Sequence, residues 1–144
     1  MSDKVTNQFV DTNVLVYAHD RSAGPKHEQA QKLLHSLWES AQGHLSIQVL
    51  QEFYVTVTRK VAKPLSSEQA LQIITNLGTW QVHSPTLDDI RKAIAIETTY
   101  NLSFWDAMII QSSARLGCDT LWSEDLNSGQ RYAGVLVANP FDMG

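Results

Sequence analysis

Along this chain, short apolar runs that stop abruptly at polar residues alternate with longer stretches whose apolar residues recur every three or four positions. The first run, Phe9-Val10, ends in Asp11-Thr12-Asn13. Apolar character resumes at once in Val14-Leu15-Val16-Tyr17, so a buried strand is expected to turn directly into a helix. After a polar stretch from His19 to Gly24, Pro25 suits a first helical turn. Ala30, Leu33, Leu34, Leu37 and Trp38 then form a stripe at helical spacing. Gly43 closes that helix, and His44-Leu45-Ser46-Ile47 reads as a second short strand running into another helix. In that helix Leu50, Phe53, Tyr54, Val57 and Val61 mark the buried face. Lys63-Pro64 breaks the chain, and Ser66-Ser67-Glu68-Gln69 supplies a capping box for a helix ending at Gly78.

The second half repeats the alternation. Trp80-Gln81-Val82-His83 is a third strand, closed by Pro85. Thr86-Leu87-Asp88-Asp89 opens a helix to about Tyr100, with Ile90, Ile94 and Ile96 among its apolar positions. Asp88 and Asp89 read as helix-start acids favoured by the dipole. Ser103 opens a helix from Phe104 to Leu116, which Gly117 ends. Thr120-Leu121-Trp122 is a fourth strand running into Ser123-Glu124-Asp125, and Gly134-Val135-Leu136-Val137-Ala138 is a fifth, with a loop at Asn127–Gln130 between them. Strands alternating with helices imply an α/β fold with a parallel sheet covered on both faces. No repeat, low-complexity tract or linker interrupts residues 1–144, which read as one domain.

Composition narrows the function classes. With 144 residues, 43% of them hydrophobic and 18% charged, the chain is long and apolar enough to bury a core. Its formal net charge of -4 supplies no basic field, which argues against a passive nucleic-acid binder. It argues less against a nuclease whose acids are neutralised by bound metal. Cys118 is the single cysteine, so an internal disulfide is impossible and a thiolate zinc site lacks partners. The polar start, Met1 to Gln8, has no apolar leader core, and no later stretch approaches a membrane span, so a cytoplasmic protein is expected. A dinucleotide fingerprint, a P-loop and a G-x-S-x-G elbow are all missing.

What remains is a set of acids. Asp11 and Asp125 each follow a short apolar strand, so both should project from one carboxyl edge of the sheet, where ligands of open α/β sheets sit. For Asp11 the competing reading is a simple helix cap. Glu52 lies about 100° from Phe53 around its helix, on the flank of the buried face, where a solvated side chain is the competing reading. Asp106 stands three residues after Ser103, a capping spacing, yet within the apolar run Phe104-Trp105-Asp106-Ala107-Met108-Ile109-Ile110. Burying a carboxylate there is costly unless a positive charge meets it. Converging carboxylates repel one another, and an all-oxygen donor set suits Mg²⁺ or Mn²⁺ rather than zinc. Such clusters support in-line hydrolysis of phosphodiesters.

Val10-Asp11-Thr12-Asn13, Gln51-Glu52-Phe53, Phe104-Trp105-Asp106-Ala107-Met108-Ile109 and Ser123-Glu124-Asp125-Leu126 together resemble the PIN-domain ribonuclease family, in particular the VapC-like toxins of bacterial toxin–antitoxin pairs. The resemblance covers nearly the whole chain, in order. It implies a three-layer α/β/α sandwich around a parallel sheet, with the first and fourth strands adjacent. It also implies that Asp11, Glu52, Asp106 and Asp125 are the catalytic and metal-binding acids, supported by Thr12, Asn13 and Ser123. The implied activity is Mg²⁺- or Mn²⁺-dependent cleavage of an RNA substrate by a homodimer that a small cognate antitoxin inhibits.

Other readings stay open at this level. A haloacid dehalogenase-type phosphatase also begins with Asp at the first strand tip but needs a second Asp two residues on, where this chain has Asn13. A receiver-like phospho-accepting domain wants Lys-Pro after its last strand, whereas Lys63-Pro64 follows a central helix. A PIN fold acting only as a protein-binding module is the third. Arg21, Lys26, Arg59, Lys60 and Lys63 are candidates to grip RNA, with solvated surface charge the competing reading for each. Successive side chains at a strand end point apart, so only one of Glu124 and Asp125 should face Asp11. The family spacing selects Asp125 and leaves Glu124 turned outward.

Overall fold

The computed structural model describes residues 6–142. Residues 1–5, the first part of the polar start read above as lacking a leader, lie outside the described residues. In chain order the elements are β1 (Gln8–Val10), α1 (Thr12–His19), a 3-10 turn (Arg21–Ala23), α2 (Pro25–Ser40), β2 (Gly43–Ser46), α3 (Ile47–Arg59) and α4 (Ser67–Leu77). They continue with β3 (Gln81–His83), α5 (Leu87–Tyr100), α6 (Phe104–Arg115), β4 (Thr120–Trp122), β5 (Arg131–Tyr132) and β6 (Val135–Ala138).

These strands form one sheet in the order β3-β2-β1-β4-β6-β5. Every pairing is parallel except β5 with β6. From β1 the chain first builds outward through β2 and β3, then returns to add β4 on the other side. The strand order therefore reverses between β1 and β4, and a crevice opens at their carboxyl ends. The strands are short and carry apolar residues on both faces, as a sheet covered by helices requires. Phe9, Val10, Leu45, Leu121 and Val137 are all buried. Helix α1 packs on α2 and α3, α5 packs on α6, and α6 lies against β2, β4 and β6.

The sixth strand was not expected. Arg131–Tyr132 occupies part of the stretch between the fourth and fifth expected strands and folds back on β6 through Ala133 and Gly134, both at positive φ (51° and 86°). Two left-handed residues in succession make the tight hairpin turn that matches strand twist. Ala133 is not a residue that advertises such a turn. Gly43 also differs from expectation. Helix α2 ends on left-handed Ala41 (φ 59°), and Gly43 starts β2, because a Cβ there would stand 2.4 Å from the Trp80 ring. Trp80 in turn meets Trp38 edge to face at 5.2 Å, which accounts for the apolar end of the α2 stripe.

Asp89 does more than start a helix. It is fully buried and closes a capping box with Thr86. It accepts hydrogen bonds from Gln111 Nε2 at 2.9 Å and Arg115 Nε at 2.8 Å, and it lies 3.0 Å from His83 Nε2. His83 Nδ1 meets Ser112 Oγ at 2.8 Å. One carboxylate thus joins the end of β3, the start of α5 and the middle of α6. Burial raises its pKa, but the Thr86 amide, Gln111 and Arg115 outweigh that and hold it well below the ordinary carboxylate range. Seating Asp89 inward turns α5 so that Asp89, Ala93 and Ile96 are buried, while Ile90 and Ile94 of the expected apolar set face outward.

Replacing Asp89 by Asn should cost about 3–5 kcal/mol of unfolding free energy, the usual result of breaking a buried ion network from one side. Because Asp89 keeps its charge in the folded state, the difference from the parent should hold steady above about pH 4 and shrink at lower pH, where the unfolded parent takes up a proton. Denaturant unfolding of both proteins across that range measures it.

Candidate active site

Register places the site. Val10 lies opposite Trp122, and the Asp11 amide donates to the Trp122 carbonyl at 2.9 Å. Asp11 and Ser123, 112 residues apart, are thereby neighbours, and Ser123 Oγ donates to Asp11 Oδ2 at 2.8 Å. Asp11 also caps α1, its Oδ1 accepting from the Thr12 amide at 2.7 Å. The cap and the site are therefore the same residue. Both Asp11 and Ser123 are buried.

The neighbouring polar side chains hold the other acids in place. Asn13 Nδ2 donates to Asp125 Oδ2 at 3.0 Å, while its Oδ1 accepts from the Glu124 amide at 3.1 Å. Ser123 Oγ accepts from the Asp125 amide at 3.2 Å. On α3, Glu52 Oε1 accepts from Thr12 Oγ1 at 2.7 Å and Oε2 from Gln48 Nε2 at 3.2 Å. Gln48 Nε2 also reaches the Trp105 carbonyl at 3.2 Å, joining α3 to the residue before Asp106. Gln48 was not singled out in the sequence, although its position one turn before Glu52 on the same helix face was a readable signal.

Asp106 stands elsewhere than its apolar sequence suggests. It is only partly buried, with its amide donating to Ser103 Oγ at 3.1 Å. The continuous buried run of α6 begins one residue later, at Ala107. Asp106 thus stands outside the buried run, near enough for its charge to act on Asp11 and for those of Asp125 and Glu52 to act on it. Glu124 departs from expectation too. It does turn away from Asp125, but not to solvent: Tyr17 Oη donates to its Oε1 at 2.8 Å, and Lys26 Nζ pairs with its Oε2. Lys26 lies 5.1 Å from the Tyr17 ring centroid and 5.4 Å from that of Phe141. Nothing in the sequence pattern linked Tyr17 or Lys26 to this loop.

The acids act on one another. Burial pushes the Asp11 carboxyl up to about 7, opposed by the Ser123 and Thr12 hydrogen bonds and reinforced by the charges of Asp106 and Asp125. Asp106 is raised by burial, against its Ser103 hydrogen bond, with Asp125 and Glu52 adding to the rise. Among the described residues none of the four acids forms an ion pair with Lys, Arg or His. Nor do three or more His, Cys, Asp or Glu side chains stand close enough to enclose a metal ion as they are. Ser123, Asn13 and Thr12 hold the carboxylates individually instead. The donors are nonetheless all oxygens, and a buried acid forced toward its neutral form gains most from a cation. The residues fit a hard divalent metal. An open cleft of about 480 Å³ adjoins them, lined by Thr12, Asn13, Glu52 and Asp125 on the acidic side and by Tyr17 and Lys60 among others.

A PIN domain model matches residues 9–133. The chain belongs to the PIN-domain family. Its PIN fold is shared with a toxin–antitoxin complex from Klebsiella pneumoniae, 19% identical, with a TM-score of 0.70 over 93% of this chain and 98% of that one. It is likewise similar to VapC20 of Mycobacterium tuberculosis, described as a sarcin–ricin loop cleaving toxin, at 21% identity and TM-score 0.64, covering 83% of this chain and 90% of that one. DNA-bound VapBC of Salmonella typhimurium gives 14% identity and TM-score 0.67 over 94% and 98% of the two chains. At such identities the likeness is one of fold. No curated protein matches the chain by sequence closely enough to count as a relative.

Two measurements follow from this geometry. Without metal, Asp11→Asn should be more stable than the parent at pH 8. Raising the acid from its ordinary 3.8 to about 7 costs the folded parent up to about 4 kcal/mol once ionised. The folded parent binds the proton between those values, so its stability falls as pH rises from about 4 to about 7 and the advantage of Asn disappears near pH 4. Thermal unfolding across that range reads the effect. Separately, Glu124→Ala and Lys26→Ala should be non-additive by roughly 0.5–1 kcal/mol in a double-mutant cycle, the pair being partly exposed.

Proposed function

We propose that the chain is a metal-dependent endoribonuclease that hydrolyses RNA phosphodiester bonds, using Mg²⁺ or Mn²⁺. It acts as the toxin of a toxin–antitoxin pair, working as a homodimer in the cytoplasm and inhibited by a small antitoxin protein. The observation that carries this reading is the group of four acids, Asp11, Glu52, Asp106 and Asp125, which influence one another across the β1–β4 crevice without a basic partner. Membership of the PIN family supports it, and so does a fold shared with proteins solved as toxin–antitoxin complexes. No helix among the described residues is long and apolar enough to cross a membrane.

Asp11, Asp106 and Asp125, with Glu52, are the residues that would hold the metal. Bound there, a divalent ion supplies an activated water and charge stabilisation for in-line displacement at phosphorus. The protein's own contribution is placement. Ser123 fixes one Asp11 oxygen and the Thr12 amide the other, so this carboxylate has a single orientation. Asn13 orients Asp125 and simultaneously holds the loop that carries it. Thr12 and Gln48 hold both oxygens of Glu52. Preset ligands of this kind avoid reorganisation when the substrate's charge develops.

The same contacts disfavour the other readings. A phosphatase of the haloacid dehalogenase type needs an acid at position 13, and Asn13 instead donates to Asp125. A pure binding module has no use for a buried acid lifted to about 7, which lowers stability at neutral pH.

Asp11→Asn and Asp106→Asn should each lower metal-dependent cleavage of RNA at least a hundredfold, roughly 2.7 kcal/mol in the barrier, with the fold retained. For the parent, metal at a hundred times its dissociation constant should add ~2.7 kcal/mol of stability, and Asp11→Asn should gain less. Full activity in either variant, or equal metal-induced shifts, would sink the assignment.

A further inference from the structure

Asp125 is exposed and sits on the irregular loop between β4 and β5. Its carboxylate takes one side-chain hydrogen bond, from Asn13 Nδ2 at 3.0 Å. What holds this part of the loop lies to either side of it. Leu126 is buried on one side. On the other, Glu124 is held at both ends. Its amide donates to Asn13 Oδ1 at 3.1 Å, and its carboxylate accepts from Tyr17 Oη at 2.8 Å and pairs with Lys26. Side chains from α1 and α2 therefore grip one residue of the loop. Phe141, past β6, closes the assembly. Its amide donates to Asn139 Oδ1 at 2.8 Å, and its ring meets that of Tyr17 edge to face at 5.1 Å. Lys26 Nζ stands 5.1 Å from the Tyr17 centroid and 5.4 Å from that of Phe141.

An exposed ion pair by itself holds little, because two long side chains must be frozen in one geometry. This one differs. Lys26 is drawn to two aromatic rings as well as to a carboxylate, and the Glu124 side chain is only 23% exposed. Tyr17 joins the two halves, its hydroxyl on Glu124 and its ring beside Lys26 and Phe141. The contacts converge on the residue immediately before Asp125, and the planar peptide between the two residues passes the constraint on. Fastening the loop for stability alone would not need them, since buried Leu126 already anchors it. Resting on the metal-dependent reading above, we infer that Glu124 is a positioning residue for Asp125, with Tyr17, Lys26 and Phe141 as the frame that holds it. Glu124 acts through the loop and touches no metal. A carboxylate already held in place has less freedom to lose when a cation binds, and partners behind the ligands tune metal affinity.

The full chain is compared with Glu124→Ala, Glu124→Gln and Phe141→Ala, without any activity assay. Backbone hydrogen exchange in EDTA reads the loop, and Mn²⁺ titration followed by electron paramagnetic resonance reads the site. In Glu124→Ala the Asp125 amide, which donates to Ser123 Oγ, should exchange faster, with protection of α3 around Glu52 unchanged. Mn²⁺ affinity should fall about tenfold, the lower end for losing a partner behind a ligand. Glu124→Gln, which can keep the Tyr17 hydrogen bond but not the ion pair, should recover part of both losses. Phe141→Ala should shift both readouts the same way by less. In an Asp125→Asn background, Glu124→Ala should leave Mn²⁺ affinity where Asp125→Asn alone sets it, because the positioned group is gone. Parent-like exchange and affinity in Glu124→Ala would overturn the inference. So would the same tenfold loss on top of Asp125→Asn, which marks general loosening or a direct contact of Glu124 with the metal. A parent that binds no Mn²⁺ sinks the metal-dependent reading, whereas faster loop exchange in Glu124→Ala still upholds the hold on Asp125.

Discussion

Parallel pairing of β1 with β4 is the constraint on which the rest of the site depends. With Val10 opposite Trp122, the first residues past each strand, Asp11 and Ser123, meet at hydrogen-bonding distance. A slip of one residue would turn every side chain of the strand to the other face. It would part Asp11 from Ser123. Two contacts depend on this register, the Asp11 amide donating to the Trp122 carbonyl at 2.9 Å and the Ser123 hydroxyl donating to Asp11 at 2.8 Å. The geometry of the site is thus tied to the pairing of the sheet.

Two buried aspartates show what that geometry is for. Asp89 and Asp11 are both removed from water, yet their titrations move in opposite directions. Asp89 is met by Arg115, Gln111 and its own helix cap, and its charge is stabilised. Asp11 is met by the Ser123 hydroxyl, the Thr12 amide, a long contact from Asn13 Nδ2 at 3.5 Å and the fields of two further acids, and its charge is destabilised. The first arrangement is a structural joint between α5, α6 and β3. The second leaves an electrostatic deficit that a cation would relieve, and such local inconsistency is common at functional positions.

The distribution of basic residues complements this deficit. Glu124, next to Asp125 in the chain, draws Lys26 against Tyr17 and Phe141 and so removes that lysine from direct reach of the acids. The same contacts fasten the β4–β5 loop to α1, with Asn13 bonded to both Glu124 and Asp125. Lys60 is left as the basic residue of the cleft.

By itself the sequence determined the alternation of strands and helices, the parallel sheet it implies, and the placement of Asp11 and Ser123 just past two strand ends. Local patterns suffice for these, since apolar runs, caps and helix breakers act over a few residues. The Ser66 and Thr86 capping boxes and the Ser103 cap stand where the residue types put them. The hairpin strand β5 was hidden because its turn uses Ala133 at positive φ, which no propensity foretells. The surroundings of Asp89, Asp106 and Glu124 were decided only by tertiary structure. Asp89 looked like a helix-start acid until His83, Gln111 and Arg115 arrived from other elements. Asp106 looked buried until the buried run of α6 was found to begin at Ala107, and Glu124 looked free until Lys26 and Tyr17 met it. A carboxylate's energy depends on what surrounds it in space, and residues tens of positions away in the chain supply those surroundings.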